Sequence, residues 1–274
     1  MPSNREAYFE ALKLDIPKSI IDFALKEVNG FSSLELTTRF DEEIKDYVFF
    51  KNAIQRYING EMMEYIFNKA YFLSAPFFVN KDVLIPRQET EQLVLRTIEL
   101  IKEIFDEKPI NIADVCTGSG CIGISVAKAL PNNRYFLTDI SKEGLSISKK
   151  NVESMLNSTE IKCIQGDMLE PLKGTKLDVI ICNPPYISNI EEIDEKTWKQ
   201  EPHLALVAEP ATLYYEKVLK DCSSVLNSKY LIAFEIGEDM KEDLTKLVKK
   251  YCPKVTYFFE NDMYGKTRFL FIKQ

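Results

Sequence analysis

The fold of this chain is decided by one stretch, Ile110–Gly120, which reads INIADVCTGSG. Residues 110–116 are predicted to form a strand, and the small residues Thr117–Gly120 end it. A mostly apolar run follows from Ile122 to Leu130 and is typical of a helix. A glycine loop between a strand and a helix lets a ligand approach the backbone closely and leaves free N–H groups at the helix start. The stretch therefore predicts the ligand-binding turn of an open α/β sheet.

Strands and helices alternate from Ile110 to the end of the chain. The predicted strands are 110–116, 134–138, 161–165, 177–182, 230–236, 255–260 and 267–272. The predicted helices are 122–130, 141–156, 212–226 and 241–251. This alternation predicts an α/β fold with a doubly wound, mostly parallel sheet of seven strands, and the terminal hairpin around 261–265 makes one strand antiparallel.

The region before the glycine loop shows two further sequence patterns. Residues 3–68 carry short apolar stripes at helical spacing, which predict a small helical-bundle domain with the bounds 1–70. Residues 71–86 are rich in aromatic and β-branched residues and predict a two-stranded β-hairpin linker with Asn80–Asp82 in its middle. The remaining domain is assigned to 87–274.

Local signals mark several helix ends in this region. Asn29-Gly30 and Asn59-Gly60 are predicted helix stops, since Gly and Asn accept the left-handed conformation. An amphipathic helix is predicted to begin at Leu93 and to run to about Glu107.

The composition limits the class of protein. The chain has 274 residues, 45% of them hydrophobic, which is enough for a sizeable core. Its net charge of −7 provides no overall basic field, so direct nucleic-acid binding is not expected. Its six cysteines form no C-x-x-C pair and are expected to be reduced, buried thiols, and no metal cluster is expected. No signal peptide or membrane segment is apparent, so a cytoplasmic monomer with no membrane contact is expected.

Two ligand classes fit the spacing of the glycine loop. Gly118-x-Gly120-x-x-Gly123 fits a dinucleotide fingerprint, with Asp139 19 residues past Gly120, where a ribose-binding acid belongs. Asp114-x-x-x-Gly118-x-Gly120 fits the nucleoside pocket of methyltransferases that use S-adenosylmethionine. Both interpretations require the same strand, turn and helix and the same acid on the second strand.

The residues farther along the chain favour the methyltransferase. A dinucleotide enzyme needs a catalytic acid or base, and the only histidine is His203, whose Pro-containing loop is more typical of a packed or solvated side chain. The third predicted strand ends on Asp167, a second carboxylate at the same sheet edge, suited to accept from an adenine amino group. The fourth predicted strand, 177–182, then delivers Asn183-Pro184-Pro185-Tyr186 to that edge.

This tetrapeptide is suited to a planar amino group, whose nitrogen lone pair is delocalised and poorly nucleophilic. The Asn183 side-chain carbonyl and the Pro184 backbone carbonyl could each accept one of its N–H bonds, which holds the nitrogen in place and favours developing positive charge. The prolines make the turn rigid, and Tyr186 can pack against the planar group. An amide and a nucleobase amino group remain alternative acceptors at this point.

The sequence resembles the release factor glutamine methyltransferases over nearly its whole length. The matching pieces are Val83–Glu91, Thr117–Gly120, Thr138–Ser141, Gly166–Met168, Asn183–Ile187, Glu201–Leu206 and Phe234–Gly237. The resemblance implies a Rossmann-like methyltransferase sheet and transfer of a methyl group from S-adenosylmethionine to the side-chain nitrogen (N5) of a glutamine. It also implies that this glutamine belongs to the Gly-Gly-Gln motif of peptide-chain release factors, which the helical N-terminal domain helps to dock.

The resemblance also assigns individual residues. The cofactor, which leaves as S-adenosylhomocysteine, is expected to contact Asp114, Cys116, Thr117, Gly118, Ser119, Gly120, Asp139, Ile140, Asp167, Met168 and Asn183. The methyl acceptor is expected to contact the catalytic residues Asn183, Pro184, Pro185 and Tyr186, with Arg87 and Glu89 shaping the mouth of the pocket.

The sequence departs from the family pattern at two places. Cys116 stands where a glycine usually opens the loop, which predicts slight crowding and weaker cofactor binding. Residues 57–66 lack the usual proline after Gly-Glu. This departure is expected to affect substrate docking more than the chemistry of methyl transfer.

Two alternative functions remain open on this evidence. The same site could methylate a ribosomal-protein glutamine or a nucleic-acid amino group. A catalytically silent module that binds the cofactor or a release factor would carry the same motifs.

Overall fold

The N-terminal region is helical, as its apolar spacing predicts. The computed structural model describes residues 1–106, 108–156 and 160–274. It divides the chain into two compact units, Met1–Lys69 and Ala70–Gln274. The helices of the first unit are α1 (Asn4–Leu12), α2 (Lys18–Asn29), α3 (Ser33–Thr38), α4 (Tyr47–Ile58) and α5 (Met63–Phe67).

Local chemistry fixes the helix ends of the first unit. Ser3 and Ser32 each form a capping box with the glutamate three positions later. Gly30 ends α2 in the left-handed conformation, and Gly60, with φ 100°, follows the end of α4. Both predicted helix stops are therefore confirmed. The apolar faces of the helices meet in a core that includes Leu25 and Phe50.

A short hairpin opens the second unit. Its strands are β1 (Ala70–Phe72) and β2 (Ala75–Phe77). The sequence-based prediction that Asn80–Asp82 lies in the middle of this hairpin is wrong. The turn is at Leu73 and Ser74, whose φ angles of 47° and 63° are typical of a tight two-residue hairpin turn.

Hydrogen bonds and packing explain where this turn lies. Glu91 holds it by accepting from the Leu73 backbone N–H at 2.7 Å. Phe72 and Phe77 are fully buried in the core of the second unit. Asn80 instead closes a local turn, in which its side chain accepts from the Asp82 backbone N–H at 3.0 Å.

The remaining elements alternate between helices and strands. The helices are α6 (Gln88–Ile104), α7 (Cys121–Ala129), α8 (Lys142–Met155), α9 (Glu195–Gln200), α10 (Leu213–Asp221) and α11 (Lys241–Tyr251). The strands are β3 (Asn111–Val115), β4 (Arg134–Asp139), β5 (Glu160–Gln165), β6 (Leu177–Cys182), β7 (Leu226–Glu235), β8 (Thr256–Asn261) and β9 (Thr267–Lys273). The predicted end of the α6 helix at Glu107 lies outside the described residues.

The seven strands β3–β9 form one sheet in the order β5-β4-β3-β6-β7-β9-β8. Strand β9 is antiparallel to both of its neighbours, while the other described pairs are parallel. The predicted doubly wound sheet with one antiparallel strand is confirmed. Strand β7 begins four residues before the predicted start at Tyr230, because Leu226 already pairs with Leu177. The next pair is Val179 with Leu231, so the extra residues of this bulge lie in β7.

Strand β6 is apolar apart from Asp178 and shows how a central strand is buried on both faces. Ile180 and Cys182 belong to the core on one face of the sheet, whereas Val179 and Ile181 belong to the core on the other. All four are fully buried, as expected for a parallel strand covered by helices on both faces.

Among the described residues, no helix combines the length and the apolar character that crossing a membrane requires.

The sheet order also sets the position of a ligand. The chain leaves β3 towards β4 on one side and later returns to β6 on the other, so β3 and β6 flank the switch point of the sheet. A crevice forms outside the carboxyl ends of strands at such a point.

Candidate active site

A cavity of about 1040 Å³, counting the space at its open mouth, lies at the carboxyl ends of β3, β4, β5 and β6. Many of the predicted site residues line it: Arg87, Cys116, Thr117, Gly118, Ser119, Asp139, Ile140, Asp167, Met168, Asn183 and Pro185. Other predicted residues do not line it: Glu89, Asp114, Gly120, Pro184 and Tyr186. The fold thus brings most of the predicted residues together around one space, while five others do not line it.

The glycine loop bends through the left-handed region at three positions. Cys116, Gly118 and Gly120 have φ angles of 61°, 52° and 82°. A Cβ added to Gly120 would lie 2.9 Å from Ile124 Cδ1, whereas one added to Gly118 would meet no atom within 4 Å. Gly120 is therefore required for packing beneath the loop, while Gly118 borders open space in the cavity.

Asp114 supports the loop from below. Its Oδ2 accepts hydrogen bonds from Thr117 Oγ1 at 2.6 Å and from the Gly123 backbone N–H at 2.9 Å. A Cβ on Gly123 would lie 3.0 Å from that same oxygen. Packing against Asp114 therefore explains the glycine at position 123, and no bound dinucleotide is needed to explain it. Burial raises the pKa of Asp114 to about 7, and these hydrogen bonds offset part of that shift. The carboxyl group of Asp114 shapes the loop rather than facing the cavity.

Asp139 lies at the end of β4 and faces the glycine loop. Its two oxygens accept from the backbone N–H groups of Gly118 at 2.8 Å and Ser141 at 2.9 Å. Burial raises the pKa of Asp139, and these hydrogen bonds oppose that shift. Each oxygen has a further lone pair, so the carboxylate can also accept from ribose hydroxyls.

Asp167 lies on the other side of the cavity, after β5. Its carboxylate pairs with Nζ of Lys217, a residue of α10, at 2.7 Å. No local motif marks Lys217 as a site residue. The neighbouring Met168 has its Sδ 3.5 Å from Cys116 Sγ, and both residues line the cavity. This side therefore combines one carboxylate with an apolar, sulfur-rich wall.

These features match the parts of S-adenosylmethionine. Carboxylates such as Asp139 and Asp167 can accept hydrogen bonds from ribose hydroxyls and from an adenine amino group, and the apolar wall beside Met168 suits a nucleobase ring. The open space over Gly118 lets a ligand approach the backbone at the start of α7.

Asn183 follows β6 and is held from behind. Its Nδ2 donates to Thr90 Oγ1 at 3.3 Å, and Thr90 Oγ1 in turn donates to Glu235 Oε2 at 2.7 Å. Thr90 and Glu235 are 3% and 2% exposed. Burial raises the pKa of Glu235 to about 7, while hydrogen bonds from Thr90 and Asn183 act in the opposite direction. The sequence analysis missed both residues, although they lie in stretches that carry the family resemblance.

The rest of the tetrapeptide is packed into the protein. Pro184 and Pro185 are buried, and Tyr186 is partly buried. Its Cδ2 is 3.5 Å from the position that a Cβ on Gly237 would occupy, so the ring lies beside that glycine. Burial raises the pKa of the Tyr186 hydroxyl, which therefore stays neutral at physiological pH.

A buried glutamate joins two parts of the cavity wall. The Glu201 side chain is fully buried and pairs with Arg87 at 2.5 Å. It also accepts from the Ile85 backbone N–H at 3.2 Å. His203, two positions later, stacks on Trp198 with ring centroids 3.5 Å apart and does not line the cavity. His203 is exposed and stacked on Trp198, which agrees with the expectation of a packed or solvated side chain rather than a catalytic base.

Comparison with known proteins identifies the family. Residues 95–201 match the family described as Methyltransferase small domain. The release factor glutamine methyltransferase of Mycoplasma mycoides is 38% identical over 217 residues, which cover 77% of this chain and 76% of that protein. The protein of the same name from Bacillus cereus is 33% identical over 233 residues, which cover 81% of this chain and 80% of that protein.

Solved structures show the same fold. The N-terminal domain of human METTL16 in complex with SAH has a TM-score of 0.51 and 21% identity, covering 72% of this chain and 74% of that chain. A methyltransferase from Pyrococcus furiosus has a TM-score of 0.53 and 15% identity, covering 81% of this chain and 98% of that chain. Since the curated relatives match over most of their own length and most of this one, the chain belongs to the release factor glutamine methyltransferase family.

Proposed function

We propose that this chain transfers a methyl group from S-adenosylmethionine to the side-chain nitrogen of the glutamine in the Gly-Gly-Gln motif of peptide-chain release factors. The observation that carries the proposal is the placement of Asn183 beside the cavity that holds Asp139 and Asp167. The curated relatives carry the name of this activity. The glutamine, rather than a nucleobase, follows from the family and agrees with the net charge of −7.

The residues of this chain act on the amide nitrogen by holding it. The bound S-adenosylmethionine supplies a methyl carbon on a positively charged sulfur, which becomes the neutral sulfur of S-adenosylhomocysteine. Asn183 Oδ1 and the Pro184 carbonyl oxygen each accept one N–H bond of the glutamine amide. As the new N–C bond forms and the bond between the methyl carbon and sulfur breaks, these acceptors stabilise the positive charge on nitrogen, and one N–H proton leaves to solvent.

The first unit and the cavity mouth have supporting roles in this proposal. Residues 1–70 dock the release factor, which is too large to be recognised by the cavity alone. Arg87 and Glu89 shape the entrance for the glutamine side chain. Because release factors act on ribosomes, the reaction belongs in the cytoplasm, and the enzyme acts there as a monomer.

A labelling experiment tests the activity. Purified release factors are incubated with the chain and tritiated S-adenosylmethionine, alongside a release factor whose Gly-Gly-Gln glutamine is replaced by alanine. Label is expected only in the glutamine-containing protein. Label confined to ribosomal proteins or nucleic acid would instead support one of the alternative substrates.

A substitution separates the enzyme from a silent binding module. Asn183→Ala is expected to reduce the transfer rate by about 10²-fold or more, because one of the two acceptors of the amide N–H bonds is lost. Binding of S-adenosylhomocysteine, measured by calorimetry, should change little. An unchanged rate in the variant would contradict the role given to Asn183.

A further inference from the structure

Three polar side chains form a series that leads away from the cavity. Asn183 lines the cavity, Thr90 lies behind it and Glu235 lies behind Thr90. They come from three separate elements, the end of β6, the first turn of α6 and the end of β7. Glu235 is further fixed because Tyr215 donates its hydroxyl to the Glu235 backbone carbonyl at 2.8 Å.

The chemistry of Thr90 gives this series a direction. A hydroxyl group has one proton to donate, and Thr90 gives it to the Glu235 carboxyl group at 2.7 Å. The Thr90 oxygen is then left as an acceptor, and it receives Asn183 Nδ2 at 3.3 Å. Since Nδ2 is the amide atom that meets Thr90, Asn183 Oδ1 is left to accept from another donor.

Only one orientation of the Asn183 amide suits the proposed reaction. A glutamine amide presents N–H donors, so the group that holds it must present an oxygen. A flipped Asn183 would turn its own NH2 towards those donors and could accept nothing from them. The flip is a rotation about a single bond, so neighbouring groups have to prevent it.

We propose that Thr90 and Glu235 are positioning residues that fix the orientation of the Asn183 amide, so that its carbonyl oxygen faces the glutamine. This inference rests on the proposed function, since it concerns the same acceptor site. Glu235 takes the proton of Thr90, and Thr90 then accepts only the NH2 end of Asn183. Neither residue has to touch the substrate.

The charged surroundings of Glu235 suit this role. Burial has the largest effect and raises the pKa of Glu235, to about 7 overall, while Arg268 lowers it and Glu89 raises it electrostatically. The donors Thr90 and Asn183 both favour the ionised form, which accepts hydrogen bonds and donates none. The two donors therefore stabilise the same form of Glu235 that orients them.

Two single variants test the role of Thr90. Thr90→Val keeps the shape and removes the hydroxyl, and it is expected to lower kcat for release factor methylation by about 10- to 100-fold. KM and the Kd for S-adenosylhomocysteine should stay within about 2-fold, because the binding contacts remain. Thr90→Ser keeps the hydroxyl and should restore most of the rate.

The same helix offers a matched control. Thr97 is fully buried in α6, and its hydroxyl has no hydrogen-bond partner within the part of the chain that the structure describes. Thr97→Val makes the same chemical change without touching the series and should leave kcat at the wild-type value.

A double variant shows whether Thr90 acts through Asn183. In the Asn183→Ala background, Thr90→Val should cause no further loss, because no amide remains to be oriented. A full additional loss in that background would overturn the inference, as would a wild-type kcat in Thr90→Val alone. If wild-type protein failed to label release factors, the proposed function would fall instead.

A second route remains if Thr90→Val does not fold. Glu235→Met removes the acceptor with little change in side-chain length, so the Thr90 proton is free to turn towards Asn183 Oδ1. The same loss of kcat, absent in the Asn183→Ala background, would support the inference. A wild-type kcat in Glu235→Met that still binds S-adenosylhomocysteine would overturn it.

Discussion

Cys116 occupies a backbone conformation that favours glycine. Its φ of 61° lies in the left-handed region, which costs an L-residue roughly 1–2 kcal/mol. This cost explains why a glycine usually opens the loop in the family. The side chain lines the cavity beside Met168, so the predicted crowding has a structural basis, while its effect on cofactor affinity stays a prediction.

The strain at Cys116 predicts a contrast between two substitutions. Cys116→Val places a β-branched residue in the left-handed region and should lower the free energy of unfolding by roughly 1 kcal/mol or more. Cys116→Gly should not lower it, because relief of strain offsets the greater freedom of the unfolded chain. Urea unfolding measures both.

A control distinguishes strain from side-chain chemistry. Cys163 lies in β5, where β-branched residues are favoured, so Cys163→Val should cost less than Cys116→Val. Equal stability of the Val and Gly variants at position 116 would show that the left-handed conformation carries no such cost.

At the scale of elements, Glu201 ties the segment after α9 to the segment that leads into α6. Its buried carboxylate receives the Ile85 backbone N–H at 3.2 Å and the Arg87 guanidinium. Pro86, Arg87, Pro202 and Leu204 line the cavity next to this link. The two stretches that most strongly suggested the family thus form one piece of the wall.

This link predicts unequal costs for two arginines. Arg87→Ala removes the charged partner of a fully buried carboxylate and should lower the free energy of unfolding by roughly 1–3 kcal/mol. Arg96→Ala is the control, because Arg96 pairs on the surface of α6 with glutamates that are 33% to 63% exposed. It should cost about 1 kcal/mol or less. A similar loss of unfolding free energy in both variants, measured by urea unfolding, would contradict the structural role given to Glu201.

At the scale of the whole molecule, each compact unit has a core of its own. The core that contains Leu25 and Phe50 uses residues of Met1–Lys69, and the two cores of the sheet use residues of Ala70–Gln274. All residues that line the active-site cavity belong to the second unit. Cofactor binding and substrate docking are therefore expected to be separable.

Removal of residues 1–69 tests this separation. The remaining chain should bind S-adenosylhomocysteine with a Kd within about 3-fold of the full-length value, since no lining residue is lost. Its kcat/KM for release factors should fall by roughly 10-fold or more, equivalent to about 1.4 kcal/mol of docking free energy. Calorimetry and the labelling assay measure the two quantities. An unchanged kcat/KM, with cofactor binding intact, would contradict a docking role for the first unit.

The local sequence pattern was sufficient to predict most of the sheet and the residues at the carboxyl ends of its strands. The largely apolar β6, the glycine loop and the acids at Asp139 and Asp167 are each recognisable within a few residues. Parallel strands bring their carboxyl ends to one edge, so these pieces had to meet. The hairpin turn was misplaced because Asn80–Asp82 has the composition of a turn, whereas the real one depends on Glu91, a residue of the next helix.

The sequence by itself determined the fold, the cofactor class and the tetrapeptide Asn183–Tyr186, because periodicity, glycine spacing and strand ends are local properties of the chain. Only the tertiary structure decided what supports that tetrapeptide. Thr90 contacts Asn183 across 93 positions and Glu235 across 145, and Arg87 contacts Glu201 across 114. Such pairings depend on how α6 packs against the ends of β6 and β7, and burial then makes each polar group bind its neighbour.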